Sequence, residues 1–80
     1  MNTLNEYDVV RVLSLDGMEC GELDRYWRAP EIGDIATVVM LLRAQPAPDG
    51  YLLECLDDDG RTLWLATFPR EALEPVETLS

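Results

Sequence analysis

Ile32-Gly33-Asp34-Ile35-Ala36-Thr37-Val38-Val39, Asp49-Gly50-Tyr51, Asp57-Asp58-Asp59-Gly60-Arg61-Thr62 and Pro69-Arg70-Glu71-Ala72-Leu73 follow one another between Ile32 and Val76. Apolar runs rich in β-branched and aromatic residues alternate with Gly-Asp and Asp-Gly turns. A Pro-led segment suited to one helical turn comes near the end. β-branched and aromatic side chains fit a pleated, half-buried surface, and Asp-Gly supplies the backbone angles of tight turns. This is the pattern of a very small β-barrel. It specifies shape and carries little chemistry.

Working outward, the spacing predicts a first strand over Tyr7 to Leu13, with Val9, Val10 and Val12 as β-branched positions and Asp8 and Arg11 between them. Ser14 to Asp34 reads as a long connection holding Gly17, Gly21, Pro30 and Gly33. A connection of that length without regular structure is uncommon in a compact domain and is often functional. Within it, Leu23 to Arg28 suits a helical turn or a folded-over hairpin arm.

Ile35 to Leu42 is the second predicted strand, apolar on both faces. Ile35, Val39 and Leu41 share one face; Ala36, Val38, Met40 and Leu42 share the other. Such a strand is expected to be buried on both sides or to lie at an interface. Arg43 to Gly50, with Pro46 and Pro48, reads as loop. Tyr51 to Leu56 is the third strand, with Glu54 marking the solvent side and Tyr51, Leu53 and Cys55 inward. Asp57 to Gly60 reads as a hairpin turn, Thr62 to Phe68 as a fourth strand. Arg70 to Leu73 reads as one helical turn started by Pro69, and Leu73 to Val76 as a short fifth strand. Five strands, a long first loop and a helical turn before the last strand describe an SH3-like barrel, all-β, in a single domain over residues 1–80.

Composition limits what such a barrel does. The 80 residues suffice for one domain. A chain of this length buries only about 60% of its unfolded surface, so every large apolar residue matters to the core. Sixteen acids face six arginines, net charge −10, with neither Lys nor His. Nucleic-acid binding depends on basic side chains that neutralise phosphates, so this charge opposes it, and opposes anionic membranes likewise. Met1 to Glu6 has neither the charge nor the apolar run of an export signal. Cys20 and Cys55 lie far apart with no histidine to complete a zinc set. Free thiols in the cytoplasm are the expectation.

The motifs resemble those of an uncharacterised bacterial family of small acidic proteins. The resemblance rests on Tyr7-Asp8-Val9-Val10, Gly33 to Val39, Tyr51 to Cys55, Asp57 to Thr62 and Leu73-Glu74-Pro75. It covers most of the chain and is least marked over Leu15 to Glu31. It implies an SH3-like fold without catalytic residues, and a likeness to immunity or antitoxin proteins that cap another protein. At Ala36 the family pattern has Gly, so a gentle bulge is expected there in place of a strained angle.

Three constellations invite a sharper reading. Asp57-Asp58-Asp59-Gly60 could suggest calcium, but counting from Asp57 the fifth position is Arg61 and the twelfth Phe68, so a hairpin turn fits better. Gly33 to Val39 is similar to strand signatures of nucleic-acid-binding barrels, yet the nearest basic residues are Arg28 and Arg43. Arg25-Tyr26-Trp27-Arg28 combines the residue types enriched in binding hot spots. The competing reading folds Tyr26 and Trp27 down as a lid over an undersized core, and Trp64 carries the same two readings. No His, no Lys and no Gly-rich phosphate loop are present, so catalysis and cofactor binding are not expected.

The resulting expectation is a non-enzymatic protein-interaction module, immunity- or antitoxin-like, using Tyr26, Trp27, Arg28 and Trp64. Its partner would be a basic protein encoded nearby. A structural subunit of a larger assembly or homo-oligomer is the alternative, motivated by the two-faced strands. A nucleic-acid-binding barrel is a third reading that the charge opposes.

Overall fold

A computed structural model describes residues 4–20, 27–42 and 50–76. The fold is mainly β. Its strands are β1 (Val9–Val12), β2 (Glu19–Cys20), β3 (Ile35–Leu42), β4 (Gly50–Leu56), β5 (Thr62–Pro69) and β6 (Leu73–Pro75). A 3-10 turn over Arg70–Ala72 joins β5 to β6, following Pro69 in extended geometry. One sheet contains all six, in the order β2-β5-β4-β3-β1-β6, and every pairing is antiparallel. The end strands β2 and β6 do not pair with each other among the described residues, so the sheet is not closed by hydrogen bonds.

The sequence pattern led to five strands, and the described residues hold six. β2 lies inside the connection read as irregular. Two residues carry no periodicity, and β2 exists only because Glu19 and Cys20 align with Thr67 and Ala66 of β5. The first strand is also shorter than expected. Tyr7 takes φ 72°, a left-handed angle that ends extended structure before Val9. The turn there is held by Asn5, whose N–H donates to Asp8 Oδ2 across 2.8 Å.

The strands β1, β3 up to its bulge, β4 and β5 bury alternate residues on one common face. Val10 and Val12 of β1, Val38 of β3, Leu53 of β4, and Trp64 and Phe68 of β5 are fully enclosed. Tyr51 and Cys55 join them from β4, as the Glu54 marker indicated. The Trp64 and Phe68 rings meet at 5.7 Å in a tilted arrangement that suits aromatic quadrupoles. Leu4, ahead of β1, is buried too, a core residue that no local pattern announced.

The two-faced reading of β3 is corrected by a bulge. Val38 pairs with Leu53, but Met40 pairs with Leu52, leaving Val39 as an extra residue. A bulge bends the strand and exchanges the faces beyond it. Met40, expected beside Val38, is therefore 50% exposed, while Leu41 packs against the core. Ala36 needs no bulge of its own: it pairs with Val10 and is buried in regular strand. A second irregularity lies where β4 meets β5. Trp64 pairs with Cys55 and Thr62 with Leu56, so Leu63 is extra and leans on the core.

Candidate contact surface

The turn before β3 builds the site. Gly33, at φ 96°, donates its N–H to Val12 O across 2.8 Å, and Asp34 donates to Glu31 O across 3.1 Å. The left-handed angle is open to glycine without the Cβ penalty. It sets Asp34 at the mouth of the strand, where the main-chain N–H of Glu31 donates to its Oδ2 across 2.9 Å.

Asp34 collects three further hydrogen bonds. Arg28 Nη1 donates to Oδ2 at 2.8 Å and Nη2 to Oδ1 at 3.0 Å, a two-pronged guanidinium–carboxylate pair. Trp64 Nε1 donates to Oδ2 at 2.8 Å. The carboxylate is 13% exposed. Burial opposes its ionisation, but the bonds from Arg28, Glu31 and Trp64 outweigh burial and hold Asp34 below the usual carboxylate range. The hydrogen bond to Asp34 conversely raises the Arg28 guanidinium above its ordinary value.

Trp27 stands beside this network with 67% of its surface exposed. Its N–H and that of Arg28 both donate to Leu63 O, at 3.1 and 3.3 Å, which docks the segment on the edge of β5. The Arg61 guanidinium lies over the Trp27 ring, 5.1 Å from its centroid. Asp57 Oδ2 and Asp59 Oδ2 each lie 3.3 Å from Arg61 nitrogens. Asp57 Oδ1 meanwhile accepts the N–H groups of Asp59 and Arg61, bracing the hairpin turn. The N–H bond from Arg61 is the largest influence holding Asp57 below its ordinary value. Gly60 completes the turn at φ 85°.

The four residues singled out from sequence thus divide. Trp27 faces solvent. Arg28 is half-buried and tied to Asp34. Trp64 is fully buried, because it shares the inward face of β5 with Ala66 and Phe68. It supports Asp34 from inside the core and is not a surface contact in this fold. Tyr26 lies outside the described residues. Asp34 and Arg61, which unite these elements, were missed. Asp34 was legible only as a turn residue, and its partners stand 6 and 30 positions away.

A separate open depression of about 310 Å³ is lined by Ser14, Asp16, Gly17, Pro69, Glu71 and Ala72. Ser14 Oγ there accepts the N–H of Asp16 at 3.0 Å. Among the described residues, no cluster of three or more His, Cys, Asp or Glu side chains is arranged to hold a metal ion. Nor is any helix of the described residues long and apolar enough to cross a membrane. No family model, curated protein or solved structure matches this chain.

Proposed function

We propose that this chain is a small protein-interaction module that uses the Trp27 corner to grip a basic partner. The observation that carries the reading is Trp27 itself. A large aromatic ring is left mostly in water by a fold with few aromatics, on a segment docked to β5 and anchored by Arg28 and Asp34. Exposed, rigidly held aromatic and Arg side chains are what binding hot spots are made of. Charge supports a basic partner. Glu6, Asp16, Glu19, Asp58 and Glu71 enter no ion pair among the described residues, within a chain of net charge −10. Acidic surfaces steer basic partners and repel nucleic acid.

The architecture in this reading is an SH3-like barrel left open between β2 and β6. It is supported by the strand order, by the 3-10 turn between β5 and β6, and by the two bulges that curl the sheet. An immunity- or antitoxin-like role, alongside the acidic family that the motifs resemble, is its concrete form. Two free thiols suit a reducing cytoplasm. The test mixes the full chain with the product of the adjacent gene. A salt-sensitive complex that Trp27→Ala weakens at least tenfold is expected; a chain that ignores that product removes the concrete form of the proposal.

One observation favours a second reading, a subunit of an assembly or homo-oligomer. Ile35 and Leu56, apolar residues on the neighbouring strands β3 and β4, are 44% and 49% exposed. Light scattering separates the two: a monomer supports the transient binder, and a concentration-independent oligomer supports the subunit.

A further inference from the structure

The Arg61 side chain makes the Trp27 corner more specific than an exposed aromatic. Its guanidinium lies over the Trp27 indole face and within ion-pair distance of the carboxylates of Asp57 and Asp59. We infer that this corner is a receptor for an arginine side chain of the partner, filled in the free protein by the chain's own Arg61. The inference rests on the interaction-module reading above and names the chemistry that the surface recognises.

The Arg61 side chain is held at the surface by exposed contacts and is not buried. It is 59% exposed and Asp59 is 77% exposed, so their ion pair is screened by water; the pair with Asp57, 24% exposed, is the firmer of the two. What braces the hairpin is main-chain chemistry: the Arg61 N–H bonds Asp57 Oδ1 at 2.9 Å wherever the side chain points. Once the side chain swings out, an indole face and two carboxylates remain without a cation. A planar guanidinium stacks on indole and takes carboxylates in a fixed fork; a lysine ammonium does neither as well. A second copy of this chain carries arginines too, but two chains of net charge −10 repel each other. A basic partner protein is the occupant that the charges favour.

The test is a titration of the full-length protein with a short capped peptide of arginines alternating with glycine, at physiological ionic strength. Arg61→Ala empties the receptor but also removes a positive charge. Arg11→Ala removes the same charge on β1, where Arg11 pairs with Glu74 at 3.0 Å, and serves as the control. Arg61→Ala is expected to bind the peptide about two- to fivefold tighter than Arg11→Ala, the size of one exposed cation–aromatic contact. Adding Trp27→Ala to Arg61→Ala should erase that gain, and thermal melting of each variant verifies the fold. Equal affinities for Arg61→Ala and Arg11→Ala, a gain that survives the loss of Trp27, or a lysine peptide binding as tightly would each overturn the receptor. A native partner that depends on Trp27 while the arginine peptide does not leaves the interaction reading standing and removes this one. Peptide binding as expected, with no complex with the product of the adjacent gene, supports the receptor and removes the immunity- or antitoxin-like form of the reading.

Discussion

The Trp64 indole N–H donates to Asp34 Oδ2 across 2.8 Å, tying the middle of the core to the turn that opens β3. The same oxygen receives Arg28 and the main chain of Glu31. One carboxylate thus couples the buried face of β5 to the segment that carries Trp27.

Asp34→Asn should destabilise the fold by about 1.5–3 kcal/mol, the range for a hydrogen bond to a charged group. The new amide presents an N–H to the Arg28 fork where an acceptor is needed. Urea unfolding followed by tryptophan fluorescence measures it. A midpoint equal to the parent's would mean that the network adds nothing to stability.

Acid should act through the same residue. Asp34 is held below its ordinary value when folded, so its stabilisation is complete above about pH 4, the unfolded carboxylate range, and drains away as pH falls through the folded value. Protonating the other carboxylates relieves self-repulsion and works in the opposite direction. Comparing parent and Asp34→Asn at pH 6 and pH 3 isolates the contribution. The stability gap between them should narrow at the lower pH, and a constant gap would contradict the assignment.

The two cysteines should react at different rates. Burial raises the Cys55 thiol above its ordinary value, and its Sγ donates to Ile35 O at 3.3 Å. Cys20 is partly exposed. A chromogenic disulfide reagent should label Cys20 in the native protein and Cys55 only as the chain unfolds. Equal native rates would show that the β3–β4 face opens more readily than its packing implies.

The bulge at Val39 makes opposite predictions for two apolar residues. Leu53→Ala should cost about 2–5 kcal/mol, since it leaves a cavity opposite Val38. Met40→Ser, on the exposed side of the bulge, should stay within about 0.5 kcal/mol of the parent. Denaturant midpoints for the pair decide whether the face exchange is real.

The β class, the extent of β3, the Asp57–Gly60 hairpin, the turn after Pro69, and the inward set Tyr51, Leu53 and Cys55 were all legible in the amino-acid pattern. These features follow from local chemistry: period-two alternation, β-branched runs, and turns that need glycine or proline. The rest depends on contacts between segments far apart along the chain. β2 depends on alignment with a strand more than forty residues on, Leu4 on a core assembled elsewhere, and Met40 on a bulge that changes parity mid-strand. Trp27 and Trp64 look alike in sequence. They part because Trp64 falls on the inward parity of β5, whereas Trp27 is hung from the edge of that strand by its main chain. Which aromatic residue meets water is a property of the assembled sheet, because burial is set by neighbours that are distant along the chain.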